Sequence, residues 1–455
     1  MDRMGCTGAF LDAGLRAHGA TLRSGGAVLG RPSFDDVASA YNFALMIPQR
    51  DTERLLAAHL DGFGVRVERE AELVRFAEVD GRVEALLRNA DGRQERVEAA
   101  WLIGCDGAHS TVRHGLGLPF SGSAQGDDWV LADVRLEGEV APPPDEIATY
   151  LHRDGPFVVF PIPAGRARVI ASVGRSDPAH PKPMPTLEEV QALVDERAGG
   201  GFRVTDPVWL ANFRINERKV AEYRYGRVFL AGDAAHIHSP AGGQGMNTGI
   251  ADAINLAWKL ATVVKGQAAD SLLDSYEAER QAFARKLVQT TDRLFTFATA
   301  EGGFAAFART RIAPLVMRVA DDIGSVRAFM FRVVSQTMLD YHDSPLSAGK
   351  AGTVSGGDRL PFVRFEGGDN YGSLSAIGWQ VHVYGAARSD LRTWCERHGV
   401  ALHAFAWRTE HGRAGLAQDA AYLLRPDTYV ALADPQGSPE ALGRYFSERG
   451  ITPTA

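Results

Sequence analysis

The chain has 455 residues, enough for about two to four domains with well-buried cores. Apolar residues make up 45% and charged residues 23%, as is typical of soluble globular proteins. The 49 basic and 56 acidic residues give a formal net charge of −7 without a basic block, which argues against nucleic acid and anionic membranes as partners. Three scattered cysteines, no apolar run near the roughly 18 residues of a membrane span and no signal-peptide core together predict a cytoplasmic protein.

The N-terminal part alternates between predicted helices and strands. Residues 1–60 are predicted to be mostly helical, with a loop at Ser24 and an extended stretch at 43–48. A helix is predicted from Asp51 to Leu60, with Asp51 as its N-cap. Three further segments have the composition of strands, and they are 65–69, 82–88 and 101–105.

The middle and the end of the chain have a different character. Residues 126–222 contain short β-like runs and proline, which predicts a separate antiparallel β domain. Its predicted elements are strands at 129–136, 157–162 and 168–173 and a helix at 187–197. Residues 223–340 return to a strand followed by long helices, and the Gly/Ser-rich stretch 341–358 is predicted to be a linker. From about residue 359 the predicted order is strand, helix, strand, hairpin, helix.

Two strands share one ending. The runs 101–107 and 227–233 are each an apolar strand that ends in Gly and Asp, with Asp106 and Asp233 at the carboxyl ends. Ligands of open α/β sheets bind at this edge, where an aspartate can accept hydrogen bonds from sugar hydroxyls. The alternative is that each aspartate only caps the helix that follows it.

A glycine-rich loop leads directly into a helix. The run SPAGGQGMN at 239–247 precedes apolar residues at helical spacing, and the helix is predicted to end before Gly266. The apolar positions are Met246, Ile250, Ile254, Ala257, Leu260 and Ala261. The unpaired amides and the dipole of such a helix N-terminus can stabilise an anion by about 0.3–2 kcal/mol. Close packing alone is the alternative explanation of the glycines.

These segments resemble a known family. The run GCDGAHSTVR at 104–113 resembles the second nucleotide-contact motif of class A flavin-dependent aromatic monooxygenases, and GRVFLAGDAAH at 226–236 resembles their ribityl motif. The run PQRDTERLL at 48–56 resembles the segment that places a glutamine against the flavin. The stretches 378–385 and 422–430 resemble the thioredoxin-like tail of the hydroxylases of anthracycline, angucycline and tetracycline type.

The resemblance implies an α/β fold with a Rossmann-like FAD-binding domain, an inserted antiparallel β substrate domain and a C-terminal thioredoxin-like domain. The implied ranges are 1–125 and 223–345 for the FAD-binding domain, 126–222 for the substrate domain and 346–455 for the tail. The family begins with a strand and a GxGxxG turn that this sequence lacks, so the FAD-binding domain is expected to be truncated at its N-terminus by about 50 residues, somewhat more than one βαβ unit. Gly62-Phe63-Gly64 does not replace that turn because it follows a helix.

The resemblance also implies roles for individual residues. Asp233 would bind the ribityl hydroxyls, Asp106 would lie near the pyrophosphate and Gln49 near the flavin. Arg113 would be structural or lie near the nicotinamide path. The complete set of implied cofactor contacts is Gln49, Asp106, Gly232, Asp233, Pro240, Gly243, Gln244, Gly245, Met246 and Asn247.

The implied activity is a monooxygenase reaction in which FAD is reduced by NADPH and O2 then forms a C4a-hydroperoxyflavin that hydroxylates a polycyclic aromatic polyketide. Three alternatives stay open: Baeyer–Villiger oxidation, inactivation of an antibiotic of rifamycin type, and a truncated flavin-fold remnant without full activity. Halogenation is disfavoured because no extra lysine-bearing motif is present. The oligomeric state stays open, with a homodimer as one option.

Substrate and metal sites leave weaker signals. Tyr150, His152, Phe160 and Arg214 lie in the β domain and are candidates for substrate contacts, although ordinary strand positions alternate between core and solvent. No catalytic base can be named. His236 and His238 have the spacing of a metal pair, but no third ligand accompanies them, so no metal is expected. Cys395 lies outside any CxxC motif, which predicts a packing role.

Overall fold

The computed structural model describes residues 1–24, 26–35, 37–175, 183–237, 243–281, 331–332 and 335–453. Eight α-helices have defined bounds in these ranges, and residues 274–281 are also helical. The eight are α1 (Thr7–Ala13), α2 (Gln49–Asp61), α3 (Thr111–Gly115), α4 (Leu187–Arg197), α5 (Gly245–Val264), α6 (Ser389–His398), α7 (Thr409–Arg413) and α8 (Pro439–Glu448).

The strands of the described ranges form six sheets. Those of the first half of the chain are β1 (Leu15–Ala17), β2 (Gly19–Ser24), β3 (Ala27–Gly30), β4 (Ala44–Met46), β5 (Ala71–Val79), β6 (Arg82–Asn89), β7 (Gln94–Ala99), β8 (Leu102–Gly104), β9 (Ser121–Glu137), β10 (Glu146–Tyr150), β11 (Phe157–Ile162), β12 (Arg166–Arg175), β13 (Arg203–Lys219), β14 (Arg224–Tyr225), β15 (Val228–Leu230) and β16 (His236–Ile237). Those of the second half are β17 (Ala348–Ala351), β18 (Val354–Ser355), β19 (Arg364–Phe365), β20 (Gly368–Asp369), β21 (Gln380–Tyr384), β22 (Ala401–Phe405), β23 (Ala421–Leu424) and β24 (Val430–Asp434).

The largest sheet has eight strands in the order β16-β13-β9-β12-β11-β10-β2-β3. All its pairs are antiparallel except β10 with β2. Successive side chains of a strand point to opposite faces, so the sheet has one face against α4 and one face away from it. Val130, Val159 and Val169 are buried against Val190 and Val194 of α4. The face opposite α4 carries half-buried apolar side chains, which are Leu131, Val158, Phe160 and Ile170.

Local sequence signals predict two elements of this sheet domain to the residue. β11 spans 157–162, and α4 spans 187–197, both as expected. α4 begins where the Thr186 hydroxyl accepts a hydrogen bond from the amide of Glu189 and the Glu189 carboxylate accepts one from the amide of Thr186. This reciprocal cap is a property of four consecutive residues, which is why the sequence alone reveals it.

The expectation of a mostly helical N-terminus is wrong. Residues 15–30 form β1, β2 and β3, and β2 extends the large sheet with Arg23 opposite Tyr150. The stretch 65–69 is not a strand either: in the described part of the chain no strand pairs with it, and Val65 and Val67 are 53% and 52% exposed. A period-two pattern becomes a strand only where a neighbour supplies hydrogen bonds, and a single sequence does not show that neighbour.

Two three-stranded sheets are formed by the chain segments that come before β9 and after β13. β8 pairs in parallel with β15, which pairs antiparallel with β14, and β5, β6 and β7 form an antiparallel meander. The segment 101–105 contains the predicted strand, β8, but Ile103 is 38% exposed because β8 lies at the edge of its sheet. α2 begins at Gln49 rather than at Asp51, which lies in the first turn and pairs with Arg54.

The C-terminal part contains the predicted strand, helix, strand, hairpin and helix in that order, as β21, α6, β22, the β23–β24 hairpin and α8. The prediction missed β19 and β20 at the start of this part and α7 between β22 and the hairpin. The stretch 341–358 is not a linker. Tyr341 and Leu346 are each 4% exposed, and β17 pairs with β24. Gly and Ser are frequent here because the backbone passes close to its neighbours: a Cβ at Gly357 would lie 2.6 Å from the Tyr341 carbonyl carbon.

Within the described ranges, no helix is both long and apolar enough to cross a membrane.

An interior strand of the C-terminal sheet, β21, holds a buried histidine whose titration makes stability depend on pH. His382 is fully buried on β21, between the Ser373 hydroxyl (3.1 Å) and the Tyr384 hydroxyl (3.2 Å). Burial, with smaller contributions from His403 and Arg3, lowers the pKa of His382 to about 3. Between about pH 6.5 and pH 3, His382 is therefore protonated in the unfolded chain but neutral in the folded protein.

We expect the free energy of unfolding to fall as the pH decreases from 6.5 towards 3, with His382 contributing up to about 1.4 kcal/mol per pH unit. Urea titrations of the wild type and of His382→Gln at pH 7, 6 and 5 measure this contribution as the difference in slope. Equal slopes in the two proteins would show that His382 does not titrate in this way.

Candidate functional site

The carboxyl ends of β8 and β15 lie side by side. Leu230 is opposite Gly104, and the Ala231 amide donates to the Gly104 carbonyl at 3.0 Å. A Cβ at Gly104 would lie 2.8 Å from Cβ of Val112, so only glycine fits this position. Because the strands are parallel, the predicted aspartates Asp106 and Asp233 follow them at the same edge of the sheet.

Both carboxylate oxygens of Asp106 accept hydrogen bonds from residues that follow it in the chain. One carboxylate oxygen accepts from the Ser110 hydroxyl and the other accepts from the Val112 amide at 3.1 Å. Ser110 in turn caps α3 by accepting from the Arg113 amide at 2.9 Å. The structure thus gives Asp106 the capping role that the sequence left as an alternative.

Arg113 joins the two strand ends. Its side chain is buried and donates to the Ala234 carbonyl at 3.1 Å and to the Ala108 carbonyl at 2.7 Å, while its guanidinium lies 4.0 Å from the centre of the Phe120 ring. These contacts support the structural role among the two that the resemblance implied.

Asp233 differs from Asp106. It lies in a 3₁₀ turn, Gly232–Ala234, and is exposed. In the described part of the chain its carboxylate has no hydrogen-bond or ion-pair partner. Gly232 has φ +58° and packs against α5, where a Cβ on Gly249 would lie 3.4 Å from the Gly232 Cα. A carboxylate without a partner is therefore presented beside the start of α5.

The N-terminus of α5 is the second part of the site. The helix starts at Gly245, is 20 residues long, and has neither a side-chain cap nor an acidic residue in its first turn. Gly243, with φ +64°, and Asn247 are exposed, and Met246 is half-buried. Gln244 is buried, and its side-chain oxygen accepts from Gln336 at 3.3 Å. An uncapped helix start of this length can bind a negatively polarised group through its first amides.

Two predicted cofactor contacts, Pro240 and Gln49, are not part of the site described above. Pro240 belongs to 238–242, outside the described residues, as does His238. Gln49 is the first residue of α2 and is exposed.

The buried face of α5 is polar, which corrects the sequence prediction. Of the expected apolar face, Ala257 and Ala261 are exposed and the remaining four positions are only half-buried. The residues of α5 that are buried are Thr248, Asp252, Asn255, Leu256, Trp258, Lys259 and Thr262. Five of these seven are polar and recur at intervals of three and four, so a helical signal was present in the polar residues themselves.

Asp252 connects this face to the site. Its Oδ2 accepts from the Gly232 amide at 2.9 Å and lies 2.8 Å from Nε2 of His236, and its Oδ1 accepts from Arg280 Nε at 2.5 Å. Burial alone would raise the pKa of Asp252, but Arg280 and His236 outweigh it and lower the pKa to about 2. His236 is buried and stacks on Tyr223 with ring centres 5.8 Å apart, as a structural histidine would.

The candidate substrate residues lie in different places. Phe160 is half-buried on the sheet face opposite α4. Tyr150 is 1% exposed and belongs to the core on the α4 side, packed against Phe157. Arg214 forms two hydrogen bonds to Asp128, at 3.1 and 3.0 Å.

His152 lies beyond β10, in a group with Asp154 and Glu196 whose ligand atoms are within 4.8 Å of one another. Arg153 already pairs with Asp154 at 3.2 Å, as in a surface ion-pair network. Burial, opposed by Asp154, lowers the pKa of His152.

Cys395, the remaining candidate, is buried in α6, and burial raises the pKa of its thiol to about 11. This fits the predicted packing role.

Parallel strand ends, a close glycine contact and an uncapped helix start together define an α/β protein of the nucleotide-binding class. Residues 1–291 match the family described as "FAD binding domain", and the chain belongs to this family.

Three similar proteins extend this assignment. A 6-methylpretetramide 4-monooxygenase of Streptomyces rimosus is 38% identical over 332 residues, which are 71% of this chain and 57% of that protein. A dialkyldecalin synthase of Streptomyces rugosporus is 33% identical over 88% of this chain and 78% of that protein. The solved structure of OxyS anhydrotetracycline hydroxylase from Streptomyces rimosus superposes with a TM-score of 0.75 at 27% identity and covers 100% of this chain and 89% of that one. The chain spans little more than half the length of the first curated relatives it matches, between 52% and 57%.

The contrast between the two aspartates can be measured. We expect Asp106→Ala to lower the free energy of unfolding by about 1 kcal/mol, because it removes a cap of α3. Asp233→Ala should change it by less than about 0.5 kcal/mol, because an exposed carboxylate without a partner is lost. Urea titrations without added flavin test both values, and a larger loss in Asp233→Ala would contradict the description of the site.

Proposed function

We propose that this protein is a FAD-dependent monooxygenase that hydroxylates a polycyclic aromatic substrate, with O2 as the oxygen source and NADPH as the electron donor. Membership of the FAD-binding domain family supports the cofactor, and the relatives named for tetracycline-type substrates support the substrate class. The observation that carries the proposal is the carboxylate of Asp233, which has no partner among the described residues, beside the start of α5, which has no side-chain cap there.

The residues present fit FAD. The ribityl chain offers hydroxyl donors, and the exposed carboxylate of Asp233 is a matching acceptor. The pyrimidine edge of the flavin carries negative charge when reduced, and the amides of Gly245, Met246 and Asn247 at the α5 start are matching donors. Gly243 and Gly232 leave the backbone accessible because neither has a side chain. FAD supplies electron transfer from a nicotinamide and the activation of O2.

The chain's own contribution is binding, charge stabilisation and exclusion of water. The dipole of α5 favours a negative group at its N-terminus, which makes this position suited to a reduced flavin. The half-buried apolar side chains around Phe160, on the face of the large sheet opposite α4, are suited to hold a flat aromatic substrate and to keep water out of the reaction. The Arg168–Asp133 ion pair lies beside Phe160 on the same face. Tyr150 is not included in this face, because it lies in the core on the α4 side.

A second candidate function, that of a synthase, is suggested by the name of one relative. The dialkyldecalin synthase matches a larger share of its own length than the monooxygenase does, 78% against 57%. A family member can therefore carry a name that describes no oxygen transfer. The readout that separates the two functions is NADPH oxidation on addition of substrate, which hydroxylation requires. Baeyer–Villiger oxidation, rifamycin-type inactivation and a remnant of reduced activity are distinguished by the products and the rate of the same assay.

We expect Asp233→Ala to retain less than about a tenth of the FAD that the wild type retains through gel filtration, because a charge-assisted hydrogen-bond acceptor is removed. The readout is the ratio of flavin to protein absorbance. Asp12→Ala, which removes another exposed aspartate, is the matched control and should retain FAD as the wild type does. Equal retention in Asp233→Ala would remove the main support for the proposed function.

The role of the sheet face in substrate binding can be tested by measuring how tightly NADPH consumption is coupled to product formation. We expect Phe160→Ala to bind FAD normally but to release at least about twice as much hydrogen peroxide per NADPH consumed, because the larger pocket admits water. Product and peroxide are quantified with polycyclic phenols as substrates. Phe63→Ala changes a phenylalanine that is 71% exposed and serves as the control. If Phe160→Ala stays fully coupled, the substrate does not lie on this face.

A further inference from the structure

A buried network of charges connects the candidate flavin site with the C-terminal part of the chain. Three carboxylates are matched by three cations, and all six side chains are at least nine-tenths buried. The six are Asp252, Lys259, Glu279, Arg280, Arg425 and Asp427. A balanced set of buried charges holds its geometry tightly, since every displaced partner would leave an uncompensated charge.

Glu279 and Arg280, neighbours in the helical segment 274–281, face opposite ends of the network. Glu279 accepts from both terminal nitrogens of Arg425, at 2.6 and 2.9 Å, and from Lys259 at 2.8 Å. Arg280 points the other way, to Asp252. The segment thus transmits the position of the C-terminal part to α5.

Arg280 is held by a hydroxyl from outside the FAD-binding region matched in the comparison, residues 1–291. Its Nη1 donates to the Tyr341 hydroxyl at 2.9 Å and its Nη2 to the Thr248 carbonyl at 3.2 Å. Tyr341 is itself fastened to the C-terminal sheet: its amide donates to the Gly357 carbonyl at 2.9 Å, and its ring lies 4.2 Å from that of Tyr429.

We propose that Tyr341, Arg280 and Asp252 form a positioning relay that fixes the Gly232 amide, and through it the turn that presents Asp233 to the flavin. The relay rests on the proposed function for its ligand, but its first half, from Tyr341 to Gly232, consists of contacts that exist without flavin. None of the three side chains touches the reacting atoms, so each is a positioning residue. The C-terminal part of the chain would then tune the flavin site rather than only pack against it.

The structure offers a matched pair of variants. Tyr341→Phe removes only the hydroxyl that holds Arg280 and leaves the charges of the network in place. Tyr429→Phe is the control: its ring is the stacking neighbour, both tyrosines are 4% exposed, and its hydroxyl accepts from Arg359 at 3.3 Å instead. Asp252→Asn is a second, more severe variant, because it also leaves Arg280 without its carboxylate.

The first measurement needs no flavin. Hydrogen exchange of the peptide that contains Gly232 should be at least about tenfold faster in Tyr341→Phe than in the wild type, because Asp252, the acceptor of the Gly232 amide, is then held less firmly. Tyr429→Phe should exchange as the wild type does, and Asp252→Asn should exchange faster still. Circular dichroism and thermal melting verify that each variant is folded. Wild-type exchange in folded Tyr341→Phe would overturn the relay.

The second measurement is flavin affinity, read from the quenching of flavin fluorescence. We expect Tyr341→Phe to weaken FAD binding by about five- to tenfold, as befits the loss of a hydrogen bond to a charged group, with no change in Tyr429→Phe. Faster exchange at Gly232 with unchanged FAD affinity would overturn the link from the relay to the cofactor. A wild type that binds no FAD would overturn the proposed function, while the exchange data would still decide the relay from Tyr341 to Gly232.

Discussion

The candidate site depends on one hydrogen bond, from the amide of Gly232 to the buried carboxylate of Asp252. Gly232 has a left-handed backbone and cannot be held by a side chain of its own, so its orientation must come from α5. The carboxylate of Asp252 remains a charged acceptor because Arg280 and His236 lower its pKa to about 2. A carboxylate without those partners would be protonated or displaced on burial, and the turn at Asp233 would lose its direction.

Two strand endings of the same appearance acquired different roles for a reason visible in the next few residues. Asp106 is followed by Ser110 and the start of α3, and its two carboxylate oxygens accept hydrogen bonds from the Ser110 hydroxyl and the Val112 amide. The matching position after Asp233, four residues on, is Ile237, which offers no hydroxyl donor. The sequence therefore contained the distinction, although the strand-end pattern by itself did not express it. The general lesson is that a carboxylate is available to a ligand only where its own chain leaves it unpaired.

How much of the fold could be predicted follows from the range of the interactions involved. α4 and β11 are specified by capping and alternation over a few residues, and both were predicted to the residue. β2 exists because β10 lies beside it from 127 residues further along the chain, and the stretch 65–69 lacks such a partner among the described residues. The polar face of α5 was missed because polar residues inside a helix are normally assigned to solvent. Their partners, Glu279, Arg280 and Asp427, lie further along the chain.

The buried charges also bear on why the C-terminal part belongs with the rest of the protein. Arg425 supplies the bidentate partner of Glu279 and also contacts Asp427, so each of these groups is compensated only in the assembled fold. Breaking one side of such a network costs about 3–5 kcal/mol, whereas apolar residues of similar volume would stabilise the interface as well or better. We therefore infer that the network serves specificity more than stability, by favouring one register of α5 against the C-terminal sheet. The same register sets Asp252 under Gly232, which makes the geometry of the site a consequence of how the two parts pack.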